Sequence, residues 1–402
     1  THCISSAASD VYKRQAIAET GISLLNESKF DVSEELKSPD AILLRSFKLT
    51  EEDLESSLKA IARAGAGVNN VPVQQCSKNG VVVFNTPGAN ANAVKEIVLA
   101  ALLLSSRGIY SGANYINAID GVDATNLKGH IEQGKKDFKG RELKDATLGV
   151  IGMGAIGAKV ADMGVTLGME VIGYDPAISV EAAWKLPNLV ARREDIETVF
   201  SESDYLTLHI PAIEETKNMV NEDLLNKAKK GLKLINFARD EIVDSTAVIK
   251  SLDAGKLGGY VTDFADLDLI DRAKSHGDVI ILPHIGASTR QAEENCSLMA
   301  AEQLIDFLEN GNIKNSVNFP ELIEPRRSKF RITLSNNNIA GMIGQMTTIL
   351  AENNLNILNM VNKSKGEIAY NVIDVDSEPS KNVIEGLSKL DGVITVRILS
   401  DG

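Results

Sequence analysis

The run Thr147-Leu148-Gly149-Val150-Ile151 passes directly into Gly152-Met153-Gly154-Ala155-Ile156-Gly157, and a helix-forming stretch from Ala158 to Leu167 follows. An apolar run with no polar alternate face reads as a strand covered on both sides, so the glycine-spaced turn after it is a tight corner between strand and helix. Such a corner lets backbone N–H groups approach a pyrophosphate closely, and the helix N-terminus adds partial positive charge. After the next β-rich run, Glu170 to Tyr174, Asp175 stands where a carboxylate reaches an adenosine ribose. Together these residues predict a dinucleotide site built from Gly152, Gly154, Ala155, Ile156, Gly157 and Asp175. The carboxylate selects NAD over NADP because it repels a 2′-phosphate.

The rest of the chain repeats the same alternation. Short β-rich runs at Ala41 to Leu44, Val81 to Phe84, Tyr205 to Leu208, Lys233 to Asn236 and Val279 to Leu282 are separated by helical patterns. Alternation of this kind predicts an α/β fold with two Rossmann-like parallel sheets. At 402 residues the chain exceeds what one core organises, so two or three domains are expected. The stretch Asp120 to Arg141 is polar and rich in Gly and Lys and reads as an exposed excursion, whereas Asn318 to Arg327, with two prolines and a charge cluster, reads as a linker.

The expected map is a discontinuous substrate-binding domain over 16–97 and 290–320, a dinucleotide domain over 98–289, a linker at 321–328 and a small domain over 329–402. Residues 1–15 are left outside it: Ser6 to Gln15 (SAASDVYKRQ) looks like translated sequencing-adapter read-through, so the segment is expected to be a non-native or poorly ordered tail, with no first strand.

A net charge of −13 disfavours nonspecific attraction to nucleic acid or an anionic membrane. The three cysteines, Cys3, Cys76 and Cys296, are widely spaced, so neither a disulfide framework nor a metal site is expected, and a reducing cytoplasm is. The strongest apolar run, Ile97 to Leu104, is shorter than the roughly 20 residues that span a bilayer.

Of the five histidines, His209 and His284 lie at strand ends, in Leu206-Thr207-Leu208-His209-Ile210-Pro211 and Leu282-Pro283-His284-Ile285-Gly286-Ala287. Arg239 closes another apolar strand in Asn236-Phe237-Ala238-Arg239. Strand carboxyl ends are where open α/β sheets bind ligands. Oxidising a secondary alcohol needs a base, a cation for a carboxylate and a hydride acceptor; His284, Arg239 and NAD are of those types.

These blocks resemble the D-2-hydroxyacid dehydrogenase family, especially its phosphoglycerate dehydrogenase branch. So do Ala62-Arg63-Ala64-Gly65-Ala66-Gly67-Val68-Asn69-Asn70 and Asn85-Thr86-Pro87-Gly88-Ala89-Asn90-Ala91-Asn92. The resemblance implies NAD-dependent oxidation of 3-phospho-D-glycerate, the first step of phosphorylated serine synthesis. It makes His284 the general acid/base and Arg239 the group that orients the substrate carboxylate. It also implies cofactor contacts from His209, Pro211, Thr216, Phe237, Ala238, Arg239, Asp263, His284, Gly286 and Ala287, and substrate contacts from Arg45, Ser46, Lys48, Gly67, Val68 and Asn69. Its partner is then a phosphorylated 2-hydroxy acid, and its assembly a homodimer or homotetramer. Where the family places a glutamate that orients the histidine, this chain reads Asp263-Phe264-Ala265-Asp266-Leu267-Asp268, and Asp268 and Asp266 both qualify. Asp240 stands where the family commonly has Gly. Other readings are a hydroxypyruvate or glyoxylate reductase, and a non-catalytic NAD-sensing corepressor on the same fold.

Beyond Phe330 the pattern is βαββαβ, as in ferredoxin-like domains, and it resembles the ACT regulatory domain. That likeness implies L-serine as effector, held by amides of Asn336, Asn338 and Asn356, with Asn336 in a loop. A dimerisation module without effector is the other reading.

Overall fold

The structure is a computed structural model and describes residues 9–14, 17–25, 30–35, 37–184 and 186–400. Its contacts divide the chain into two compact units, residues 1–90 with 290–402, and residues 91–289. The helix Ala91–Ser106 belongs whole to the second unit.

The first unit opens with a five-stranded sheet. Its strands are β1 (Ser9–Arg14), β2 (Phe30–Ser33), β3 (Ala41–Leu44), β4 (Ala60–Arg63) and β5 (Val82–Phe84), in the order β2-β1-β3-β4-β5 and parallel throughout. This corrects the expectation that a first strand is absent: Ser9–Arg14, within the segment read as a tail, form an inner strand. Val11, fully buried, pairs with Val32 on one side and Ala41 on the other. The physical reason is that a gap between two strands offers backbone donors and acceptors to any extended segment. Asp-Val-Tyr-Lys, with its β-branched and aromatic residues, satisfies them.

The second unit carries β6 (Thr147–Ile151), β7 (Glu170–Tyr174), β8 (Val190–Arg192), β9 (Tyr205–Leu208), β10 (Leu232–Asn236), β11 (Leu257–Thr262) and β12 (Val279–Ile281). They form one parallel sheet in the order β12-β11-β10-β9-β6-β7-β8. Because β6 lies between β7 and β9, the crossovers leave it in opposite directions and open a crevice at its carboxyl end. The inner strands are buried on both faces, with Leu148, Val150, Leu206, Leu208, Leu234 and Ile235 sealed from solvent. The excursion folds into the helix Ala124–Gly134, started by Asp123, whose carboxylate accepts the Thr125 and Asn126 N–H groups.

The chain ends, back in the first unit, on β13 (Phe330–Asn337), β14 (Ile357–Lys365), β15 (Ile368–Val375) and β16 (Val393–Ser400), an antiparallel sheet in the order β14-β15-β13-β16. Helices Met342–Glu352 and Lys381–Ser388 cover one face, completing the βαββαβ pattern. The other face does not stand apart: Tyr370 and Val372 join the core that holds Phe84, Phe307 and Phe319, and Tyr370 donates to the Gly311 carbonyl at 2.8 Å.

Arg331, with no exposed surface, binds Asp374 through Nε (2.7 Å) and Nη2 (2.9 Å), and spends its other donors on the carbonyls of Asn310, Glu324 and Pro325. One expectation fails here. Asn336 is not in a loop but inside β13, almost fully buried, where its Oδ1 accepts from Asn371 and its Nδ2 donates to the Asn337 carbonyl. An amide so committed cannot grip an effector.

Candidate active site

The glycine corner has the shape a dinucleotide needs. Gly152 takes φ +89°, and a Cβ there would sit 2.5 Å from the His209 carbonyl oxygen; a Cβ on Gly157 would meet the Gly152 oxygen at 1.9 Å. Gly154, by contrast, faces open space and precedes the helix Ala155–Thr166 with no side-chain cap. Its first N–H groups are thus left for an anion. Asp175 follows β7; its Oδ2 accepts the Met153 N–H at 2.8 Å and its Oδ1 the Ala177 N–H at 2.9 Å, so the acid is tied to the glycine corner itself. Each carboxylate oxygen keeps a further lone pair for a ribose hydroxyl.

His209 and Thr207 share a 3.0 Å contact from ring Nε2 to hydroxyl. Burial pushes the imidazole down to about 3, which keeps it neutral and removes it from proton transfer near neutral pH. Thr216 accepts the Ile213 N–H and donates toward the Pro211 and Ile213 carbonyls, so its hydroxyl closes the loop 211–216.

The reactive groups gather at the ends of β10, β11 and β12. Arg239 follows β10, half-buried, with its Nη1 on the Ala238 carbonyl. His284 follows β12 on an exposed turn at φ +50°, a left-handed conformation that costs an L-residue roughly 1–2 kcal/mol. Its N–H holds the turn by donating to the Asp263 and Leu282 carbonyls, at 3.1 and 3.0 Å, and its ring meets Phe264 edge-on at 5.1 Å.

Asp263, at the end of β11, is buried. Its Oδ2 accepts the Gly286 N–H at 2.8 Å, and its Oδ1 has no protein partner. Burial raises its carboxyl above the usual range, against the pull of the Gly286 N–H and of the His284 and Arg239 charges.

Asp266 and Asp268 lie elsewhere. Asp266 caps the helix Leu267–His276 by accepting the Leu269 N–H at 2.8 Å, and Asp268 is exposed in its first turn. Among the described residues neither forms an ion pair with His284. Four and six residues past β11, where the chain turns into a helix, these side chains are claimed by the helix start and by solvent. Asp240 opens a short helical turn, and its carboxyl hydrogen-bonds to that of Glu241, which lowers Asp240 and raises Glu241. The Arg239 charge acts on both acids and favours their ionised forms.

Residues 111–286 match the family model described as the D-isomer specific 2-hydroxyacid dehydrogenase NAD binding domain. A D-3-phosphoglycerate dehydrogenase of Haemophilus influenzae is 32% identical over 92% of this chain and 88% of its own length. The chain belongs to the D-2-hydroxyacid dehydrogenase family. A D-3-phosphoglycerate dehydrogenase of Synechocystis is 34% identical over 84% of this chain, and one of Bacillus subtilis 31% over 81%; the chain spans 59% and 60% of their lengths. In structure, the chain is similar to an NAD+-bound 3-phosphoglycerate dehydrogenase of Entamoeba histolytica at TM-score 0.62 and 29% identity, covering 79% of this chain and 100% of that one. The glycine corner and Asp175 thus belong to an NAD-binding domain of this dehydrogenase family.

The first unit carries the residues that the sequence reading put on the substrate side. Arg45, after β3, pairs with Glu293 at 2.7 Å. Its backbone carbonyl accepts from Arg63 Nε (3.0 Å) and Asn70 Nδ2 (3.1 Å), and Asn70 also donates to the Phe47 carbonyl. Lys48 is exposed, and Gly67, Val68 and Asn69 form the turn that Asn70 ends. Arg63, within the quoted Ala62-to-Asn70 block but not among the residues read as site candidates, is placed beside them by its bond to the Arg45 carbonyl; its signal in the sequence is a charge closing an otherwise small and apolar strand, Ala60–Arg63.

Proposed function

We propose that this chain oxidises 3-phospho-D-glycerate to 3-phosphohydroxypyruvate with NAD, the entry step of phosphorylated serine synthesis. The observation that carries the reading is that Asp263, Arg239 and His284 all follow strands at the carboxyl edge of the NAD-binding sheet, with the buried Asp263 under the pull of both charges. Arg239 holds the substrate carboxylate and its neighbouring oxygen by charge-assisted hydrogen bonds. His284 takes the hydroxyl proton as the C–O bond becomes a carbonyl, and returns one in the reverse direction. Asp263 favours the imidazolium that forms, as a nearby negative charge does. Bound NAD supplies the acceptor for the hydride. Asp268 or Asp266 as the orienting acid fits less well, since neither reaches His284.

Arg45, Ser46 and Lys48 are assigned to the phosphate on the strength of the family resemblance, with the parallel sheet of the first unit as the substrate domain. The Arg45–Glu293 pair favours a second reading: an arginine already neutralised suits a smaller, unphosphorylated 2-hydroxy acid. NADH absorbance separates the two. Turnover with 3-phosphoglycerate exceeding that with glycerate supports the first, and the opposite order overturns it.

The C-terminal βαββαβ unit we assign as an ACT domain. Asn338 and Asn356 keep exposed positions, and L-serine is the proposed effector through them. Serine that changes neither activity nor melting temperature leaves pairing between copies as the role. The helices around residue 120 expose Ile109, Tyr110, Ile116 and Leu127, an apolar patch consistent with a homodimer or tetramer. A cytoplasmic location fits the reduced cysteines Cys76 and Cys296, and among the described residues no helix is long and apolar enough to cross a membrane.

A further inference from the structure

Arg239 acts from a turn, and a turn has to be held. The residue holding it is Asn236, the last of β10, which has no exposed surface. Its Oδ1 accepts the Ala238 N–H at 3.0 Å and its Nδ2 donates to the Arg239 carbonyl at 2.8 Å. One side chain thereby clamps the backbone one residue before and immediately after the Arg239 Cα. The first half is an Asx turn, and the second is what makes amide rather than acid necessary.

Asn236 is itself oriented from β11. The strands pair Asn236 with Thr262 and Leu234 with Tyr260, so Tyr260 and Thr262 lie on the same sheet face as Asn236. The buried Tyr260 hydroxyl lies against both the Asn236 and Thr262 side chains; burial pushes it up to about 12, so it stays a neutral donor and acceptor. Thr262 in turn accepts the Phe264 N–H at 3.1 Å, fixing the residue whose ring meets His284. A single polar cluster beneath the sheet end therefore reaches the Arg239 turn on one side and the Phe264 contact with His284 on the other.

We propose that Asn236, braced by Tyr260, is the positioning residue that sets where the Arg239 guanidinium stands. The proposal rests on the assignment of Arg239 to the substrate carboxylate. Its energetic weight comes from geometry: about 1 Å of misplacement of a binding group can cost on the order of 10²-fold in rate. Asn236 spends its amide on the Arg239 turn and not on the glycine corner, so the pyrophosphate end of the cofactor site is left alone.

The experiment compares Asn236→Ala, Asn236→Asp and Tyr260→Phe in the full chain, reading kcat and KM for the 2-hydroxy acid, NADH affinity by fluorescence, and amide exchange at Ala238. Asn236→Ala is expected to lower kcat/KM on the order of 10²-fold, with NADH affinity falling far less and Ala238 exchange accelerated. Asn236→Asp keeps the acceptor for Ala238 but loses the donor to Arg239, so it keeps Ala238 protected while kcat/KM still falls, by about tenfold. Tyr260→Phe, the mildest change, raises KM more than it lowers kcat.

Unchanged kcat/KM in all three overturns the proposal, as does a loss of NADH affinity in step with activity, which would mark a merely structural role. If the wild-type chain turns over no 2-hydroxy acid, the reaction assignment fails instead. The Ala238 exchange in Asn236→Ala then decides the clamp alone, and unchanged protection overturns it.

Discussion

Two buried carboxylates in this molecule are treated in opposite ways. Asp374, under the C-terminal sheet, meets Arg331 through two hydrogen bonds and accepts the Arg327 N–H as well, while Arg331 uses its remaining donors on three carbonyls. Asp263, at the end of β11, has one oxygen satisfied by Gly286 and the other left without a protein partner. Desolvating a charge is repaid only where every lone pair and proton is used. Saturation marks a joint that holds the C-terminal sheet to the segment 310–325; an open oxygen, under the proposed mechanism, is capacity kept for chemistry at His284 and Arg239.

The largest effect falls on the open side. His284→Ala is expected to lower kcat by about 10²- to 10⁴-fold with NAD affinity retained, as measured by steady-state kinetics. Near-normal turnover would remove His284 from the mechanism and the comparison with it.

On the saturated side, Arg331→Met leaves Asp374 buried and unpaired and should cost about 3–5 kcal/mol in denaturant unfolding. The double change Arg331→Met with Asp374→Leu should recover most of that loss. A double variant as unstable as the single one would mean that the joint depends on the carbonyl contacts rather than on the ion pair.

Asp263 supplies a pH test. A carboxyl raised in the folded state contributes stability below its unfolded value of 3.8 that is lost as pH rises through the higher folded value. Asp263→Asn should therefore melt above the wild type at neutral pH, and the advantage should vanish as pH falls toward 3.8. Activity should drop at the same time. A variant both less stable and less active would place Asp263 with Asp374 as a structural acid.

The smallest effect is at Asp266. As a helix cap its replacement by Ala costs about 1 kcal/mol and leaves kcat unchanged. A large fall in kcat would return it to the catalytic set.

How much of this was legible in the sequence follows the physics of each segment. Strands β3, β6, β7 and β9 announce themselves because they are apolar runs covered on both faces. Strand β11 does not, since Leu257-Gly258-Gly259 weakens its pattern. The first glycine is demanded by packing, a Cβ there lying 2.4 Å from the Gly231 carbonyl oxygen.

The strand-end positions of Arg239 and His284 were readable because charges at strand ends are few. The burial of Asp263 was not, because which of three nearby acids is enclosed depends on where β11 stops and the helix Leu267–His276 starts. The fate of Asn336 was hidden for a related reason. Three consecutive asparagines read as a loop, yet a cross-strand amide partner, Asn371, draws the first of them into the sheet.

Strand β1 has a consequence for handling the protein. Among the described residues it is the sole link between β2 and the rest of its sheet, joined to each neighbour over four residue pairs. Trimming the chain through Arg14 would turn one continuous sheet into two raw margins, each a template for a foreign strand. A shortened preparation would then be recognised less by a lower melting point than by cloudiness in the tube.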